Sequence, residues 1–145
     1  MDENIELLNY IHKDSEMGIT SLTTLVRKLN SKDNKIKKIV EAELKGYENF
    51  KKESEKLIKK YKGDVIDASM MAKAMSTMKL NFDVMQDNSD AKIADILTRG
   101  FTMGTIDMNK KIDAYKDDAE KDILDLAKSF LKFQNENIEI LKEYL

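Results

Sequence analysis

The chain of 145 residues contains no cysteine, no proline and no tryptophan, and it has a single histidine, His12. The absence of cysteine excludes disulfides, thiolate metal sites and cysteine nucleophiles. The absence of proline removes the strongest helix breaker, and only five glycines are present to weaken a helix. A nucleophilic triad would need Ser15 as the partner of His12, at a spacing that does not hold a nucleophile in place. The composition therefore favours long helices and gives little support to an enzyme.

A strong net charge of either sign is also missing, because 25 lysine and arginine residues are balanced by 27 aspartate and glutamate residues. The two signs are interspersed, as on solvated helix faces, and they do not form the basic patch of a nucleic-acid-binding protein. The N-terminal "MDENIELLNY" lacks the positive flank and apolar run of a signal peptide. No apolar stretch approaches the ~20 residues that span a bilayer. We therefore predict one domain, 1–145, in a cytoplasmic protein that binds neither nucleic acid nor membrane.

Apolar residues recur three and four positions apart through four long segments, which is the spacing of amphipathic helices. In the first segment this stripe extends from Ile5 to Leu29, and His12 takes a position in it that is otherwise apolar. No segment shows the alternation of a half-buried strand. The predicted helices cover about residues 3–30, 33–62, 89–116 and 118–144, with a short helix at 66–80 between the second and the third.

The lengths of the connections predict how the helices are arranged. Short turns join the first helix to the second and the third to the fourth, so each of these pairs is expected to be antiparallel. Pairing about a turn at 30–33 places His12 beside Phe50 and Lys51. The middle connection is long and predicts a crossover that contains the short helix at 66–80. Hairpin, crossover and hairpin together predict an all-α four-helix bundle.

Two short motifs add a family resemblance to this architecture. In "LLNYIHKDSEMGITSL" a Leu-Asn pair precedes acidic residues and a glycine, and "TRGFTMGTIDMNK", residues 98–110, contains paired glycines. Both resemble helices of small bacterial ferritin-like proteins of uncharacterised function, the first and the third helix respectively. The matching residues of the first motif are Leu8, Asn9, Asp14, Glu16 and Gly18. The resemblance implies a ferritin-like four-helix bundle with one long crossover between helices 2 and 3, and it implies no particular reaction.

Acidic residues on three of the helices raise the question of a metal site. Di-iron ferritin-like proteins hold their metals with a Glu on each of two helices and a Glu-x-x-His pair on each of the others. Glu43 is followed three residues later by Gly46 instead of histidine, and no Glu-x-x-His pair occurs in the chain. We therefore expect no metal and no other cofactor. The alternative is a metal-binding ferritin-like protein with an atypical carboxylate site, formed by Glu16, Glu43, Asp107 and His12.

His12 and Glu16 are four residues apart and therefore lie on one face of the first helix. One interpretation is a metal-binding or proton-accepting histidine that is assisted by Glu16 and Tyr47. The other is a structural histidine, partly buried, whose ring N–H is satisfied by Glu16 or by Ser15. The structural interpretation is preferred, because a single histidine supplies too few ligands for a transition metal.

Methionine is concentrated in the predicted crossover, which holds five of the nine methionines of the chain. Flexible methionine side chains fill irregular seams or line adaptable binding surfaces. Thioethers also suit Cu(I), but no cysteine or histidine lies near them in the sequence. We predict a non-enzymatic interaction or structural protein that forms a homodimer, with a protein partner as a further possibility. The candidate interaction residues are Met70, Met71, Met75 and Met78.

Overall fold

The structure is a computed structural model of the chain, and it describes residues 2–66, 82 and 86–145. All regular structure among these residues is helical. It consists of α1 (Glu3–Leu29), α2 (Lys37–Lys60), α3 (Asp90–Tyr115), α4 (Lys121–Leu141) and a 3-10 helix at Lys142–Tyr144. For the described residues, the prediction of an all-α fold with four long helices is therefore confirmed. The predicted short helix at 66–80, apart from its first residue, and Met70, Met71, Met75 and Met78 lie outside the described residues.

The start of α2 differs most from its predicted bound, since the helix begins at Lys37 and not at 33. Asn34 does not cap this helix, because its side-chain amide donates to the carbonyl of Asn88 (2.7 Å) and to the carboxylate of Asp90 (2.9 Å). The same carboxylate accepts from the backbone N–H of Lys35 at 3.2 Å. An acid from α3 thus anchors the turn before α2, and its negative charge lies where the helix dipole favours it.

The remaining ends follow the sequence pattern more closely. Asp2 accepts a hydrogen bond from the backbone N–H of Ile5 (2.9 Å), and Ser89 accepts one from Lys92 (3.2 Å). These are N-cap side chains, and they satisfy backbone donors that a helix start leaves unpaired. No helix of the described residues is long and apolar enough to cross a bilayer.

Contacts between helix ends show in which direction each helix runs. The hydroxyl of Tyr115, at the end of α3, donates to Glu6 near the start of α1, with 2.6 Å between the oxygens. Lys60, at the end of α2, forms an ion pair with Asp122 near the start of α4 (2.7 Å). Because short turns join α1 to α2 and α3 to α4, α1 and α4 run in one direction and α2 and α3 in the other.

Aromatic rings fill the middle of the bundle and join its two apolar clusters, since Tyr47 and Phe133 pack against both. The Tyr47 ring stacks on Phe101, with 5.9 Å between the ring centroids, and it meets Phe133 edge to face at 5.1 Å. Gly46 makes this packing possible, because a Cβ at that position would overlap the Phe133 ring. α1 packs chiefly against α2 and α3 against α4, whereas the contact between α1 and α3 is small.

Candidate functional site

One stretch of α1 supplies polar side chains to two different places. Each residue of an α-helix is rotated by about 100° around the helix axis, so two residues correspond to about 200°. Asp14, two residues after His12, therefore points to the opposite side of α1. His12 and Glu16 contact α2, where their side chains meet Glu55 and Lys51. Asp14 instead borders a cavity that separates α1 from α3.

The cavity has a volume of about 320 Å³ and is lined by residues of α1, α2 and α3. This volume lies at the lower end of the range for small-molecule sites. Apolar side chains and glycines make up most of its lining, and Tyr47 of α2 contributes an aromatic ring. The acidic groups that line it are Asp14 of α1 and Asp107 of α3.

Glycines determine the shape of this cavity on both sides. A Cβ at Gly18 would lie 2.6 Å from the ring of Tyr47, so only glycine lets this ring approach α1 so closely. A Cβ at Gly104 would lie 2.6 Å from Nε2 of Gln134. The missing side chain lets the amide of Gln134 reach from α4 to Asp14, to which it donates a hydrogen bond of 3.4 Å. Each glycine costs about 1 kcal/mol against alanine inside a helix, and these contacts account for it.

Three charged residues line the cavity, Asp14, Asp107 and Arg99, and the guanidinium of Arg99 forms its ion pair with Asp95 (3.1 Å). Burial and, to a smaller extent, the charge of Asp107 together raise the pKa of Asp14 to about 6, and the charge of Lys13 offsets a part of this rise. Burial together with the charge of Asp14 also raises the pKa of the phenols of Tyr10 and Tyr47 above their ordinary value. In the described part of the chain, no lysine or arginine forms an ion pair with Asp14 or Asp107. A cation is the complementary charge for such a site.

The second place is a cluster of charged side chains between α1 and α2. The Nε2–H of His12 donates to the carboxylate of Glu55 at 2.9 Å, and Lys51 donates to Glu16 at 2.7 Å. His12, Glu16 and Glu55 each offer one ligand atom, and these three atoms lie within 4.8 Å of one another. The His12 side chain is buried, and its Nδ1 has no hydrogen-bond partner among the residues described.

Glu43 lies in neither place, although the sequence offered it as a possible ligand. It is 1% exposed, and within residues 2–66, 82 and 86–145 neither of its carboxyl oxygens has a hydrogen-bond partner. Burial raises its pKa from the ordinary 4.5 to about 8, so the group is protonated and uncharged at neutral pH. Within the described residues, Glu43 belongs to no group of three histidine, aspartate or glutamate side chains that are close enough to share a metal ion.

The four side chains of the predicted carboxylate site are therefore distributed over three places. His12 and Glu16 lie together, Asp107 borders the cavity, and Glu43 is in the interior. A di-iron centre of this type needs two Glu-x-x-His pairs, and the chain has none. The acids of the predicted carboxylate site do not converge on one point, so these residues do not fit a di-iron centre.

The hydrogen-bond partner of His12 is Glu55, and the prediction of Glu16 or Ser15 in this role is wrong. The Ser15 hydroxyl donates instead to the carbonyl of Ile11 (2.8 Å). Because the turn before α2 is longer than expected, α1 faces residues one helical turn further along α2 than predicted. A longer turn at "NSKDNK" is the signal that would have pointed to Glu55.

Comparisons of the chain with known protein families, with curated proteins and with solved structures find no match.

Proposed function

We propose that this protein is a non-enzymatic, ferritin-like helical bundle that binds a small organic cation in the cavity between α1 and α3. The observation that carries the proposal is the carboxyl pair Asp14 and Asp107, which has no ion-pair partner in the described part of the chain and borders a largely apolar cavity. An amine that enters it would gain charge-assisted hydrogen bonds to the carboxylates. Its apolar body would lie against Tyr47 and Phe101, whose stacked rings also suit a cation.

Binding is preferred to catalysis because of where the single histidine lies. Histidine is the most frequent general base in enzymes, and His12 contacts Glu55 on the other face of α1, away from the cavity. The groups that border the cavity can neutralise and orient a cation without any proton transfer. The proposed role is therefore that of a carrier or sensor of its ligand.

The directions of the helices support the ferritin-like part of the proposal. The backbone N–H of Ile66, after α2, donates to Asn9 near the start of α1 (2.9 Å). Lys28, near the end of α1, donates to the carbonyl of Phe82 before α3 (2.7 Å). The connection between α2 and α3 thus starts at one end of the bundle and finishes at the other, as in bundles with one long crossover.

A homodimer in the cytoplasm completes the proposal. Met103, at the border of the cavity, and Ile106 of α3 are 58% and 51% exposed and, three residues apart, share one face of the helix. Exposed apolar side chains that lie together support self-association. Light scattering at high protein concentration tests this point, and a strictly monomeric species would contradict it.

Three probe molecules of similar size test the ligand class: phenethylamine, 2-phenylethanol and phenylacetate, which carry a positive, a zero and a negative charge. We expect the amine to bind roughly ten to a hundred times more tightly than the alcohol, because one charge-assisted hydrogen bond is worth about 1.5–3 kcal/mol. Isothermal titration calorimetry on the full chain measures the three affinities. Equal affinities for the three probes, or a preference for the acid, would overturn the proposal.

Matched variants show whether the carboxyl pair is responsible. Asp14→Asn and Asp107→Asn keep the size of the side chains and are expected to abolish the preference for the amine. Asp113→Asn is the control, since Asp113 is an exposed residue of the same helix whose partner is Lys116 (2.8 Å). A loss of the preference in the Asp113 variant would point to the net charge of the chain and not to the cavity.

A further inference from the structure

We propose a second site on this protein, a binding site for a divalent transition-metal ion formed by His12 and Glu16 of α1 and Glu55 of α2. It lies on the opposite face of α1 from the cavity and does not depend on the proposed function. His12 alone supplies too few ligands, but Glu55, which the sequence did not place here, completes a set of one imidazole nitrogen and two carboxylates that Zn²⁺ accepts. Three protein ligands leave a fourth position open for water or another small donor.

The geometry of the three side chains is close to that of a bound ion. Their ligand atoms lie within 4.8 Å of one another, and Nε2 of His12 is 2.9 Å from the carboxylate of Glu55. Ligand atoms around a tetrahedral Zn²⁺, at bond lengths of 2.0–2.2 Å, are separated by about 3.4 Å. The side chains of Glu16 and Glu55 are both partly exposed, at 30% and 43%, so they are less constrained by packing than His12.

The burial of His12 fixes one ligand of the site in place. The side chain is 5% exposed, and its Nε2 points to the carboxylates. Because an ionised carboxylate only accepts hydrogen bonds, Nε2 carries a proton when it contacts Glu55, and Nδ1 is the nitrogen without a partner in the described structure. Coordination of a metal through Nε2 requires the other tautomer, in which this proton has moved to Nδ1.

Lys51 is the group with which a metal has to compete. Its ammonium group donates to Glu16 at 2.7 Å, and this hydrogen bond raises the pKa of Lys51. Two carboxylates and one ammonium leave the cluster with one negative charge when the histidine is neutral. A divalent cation is therefore attracted, but it must displace the ammonium from Glu16. A neutral residue in place of Lys51 is expected to strengthen metal binding about tenfold.

Isothermal titration of the full chain with Zn²⁺ is the first test, with Mg²⁺ as the comparison, because Mg²⁺ prefers sites made of oxygen ligands alone. We expect one Zn²⁺ per chain and no measurable binding of Mg²⁺. Glu55→Gln is expected to weaken Zn²⁺ binding at least tenfold, and Lys51→Met to strengthen it. Glu53→Gln is the matched control, since Glu53 is partly exposed on the same helix and pairs with Lys56.

The imidazole ¹⁵N signals of the protein give a second measurement, which does not depend on calorimetry. His12 is the only histidine, so its two ring nitrogens give unambiguous signals. Addition of Zn²⁺ is expected to move the proton from Nε2 to Nδ1. Substoichiometric binding, unchanged ring signals, or an affinity that falls in Lys51→Met would each overturn the proposal.

Discussion

Gln134 of α4 donates a hydrogen bond to Asp14 of α1, with 3.4 Å between Nε2 and Oδ2. The amide reaches Asp14 because Gly104 of α3 has no side chain. The amide oxygen of Gln134 has no hydrogen-bond partner among the described residues. The uncharged amide of Gln134 thus donates to the carboxyl group of Asp14, which has no ion-pair partner in the described part of the chain. This contact joins α4 to the cavity between α1 and α3, and two predictions concern the residues around it.

The first prediction compares two glycines that differ in what surrounds them. Gly46→Ala is expected to destabilise the protein by about 1–3 kcal/mol, because the new Cβ would overlap the ring of Phe133 inside the aromatic cluster. Gly104→Ala is the matched control. There the Cβ would meet only the flexible end of Gln134, and the better helix propensity of alanine offsets the displacement. Urea denaturation measures both changes, and equal losses in the two variants would contradict the packing described here.

The second prediction concerns the proton on Asp14. Its pKa of about 6 results from burial and from the charge of Asp107, so Asp107→Asn is expected to lower that pKa. An NMR titration that follows the ¹³C signal of the carboxyl group measures it. Because only the ionised carboxyl attracts an amine, the affinity for phenethylamine is expected to rise from about pH 5 to about pH 7 and then to level off. An affinity that does not change over this interval would exclude Asp14 as the group that binds the amine.

The four helices could be predicted from the sequence because the period of apolar residues depends on local geometry alone. The register between α1 and α2 could not, since it depends on Asn34 and Asp90, which meet only in the folded bundle. In the structure Glu55 lies next to His12, where the sequence predicted Phe50 and Lys51. For the same reason, Glu55 could not be predicted as the partner of His12.

The cavity was missed although its residues stood out in the sequence. In the sequence, Asp14 and Gly18 belong to a motif that resembles a family motif, and Asp107 is a candidate only as a metal ligand. Their spatial relation depends on the small contact between α1 and α3, which no local pattern encodes. Glycines inside long helices are the clue that remains, because each one is unfavourable unless another group approaches the backbone closely.

The third prediction is a fall in stability with rising pH that is due to Glu43. The pKa of this carboxyl is about 8 in the folded protein and 4.5 without burial, so the folded state binds a proton more tightly than the unfolded state. The contribution of the protonated group is therefore fully present below about pH 4.5 and is lost as the pH rises through 8. The difference between the two pKa values corresponds to a loss of at most about 4–5 kcal/mol in the free energy of unfolding.

Glu43→Gln removes the titrating group and is expected to abolish this part of the pH dependence. The test is the free energy of unfolding from chemical denaturation, measured at several pH values from about 5 to about 9. Glu41→Gln serves as the control, because Glu41 is an exposed residue on the same helix. If the wild type and Glu43→Gln lost the same stability over this interval, the pKa of Glu43 would not be raised.

The fourth prediction concerns Asp90, which connects the start of α3 to the turn before α2. Its carboxylate accepts from the side chain of Asn34 at 2.9 Å and from the backbone of Lys35 at 3.2 Å. Asp90→Ala leaves both donors without this acceptor and removes a negative charge from the N-termini of two helices. We expect a loss of about 1–2 kcal/mol in the free energy of unfolding, since each of these interactions contributes a fraction of that amount. Asp95→Ala, which breaks only the exposed pair with Arg99, is expected to change it by less than about 0.5 kcal/mol, and a comparable loss there would refute the anchoring role of Asp90.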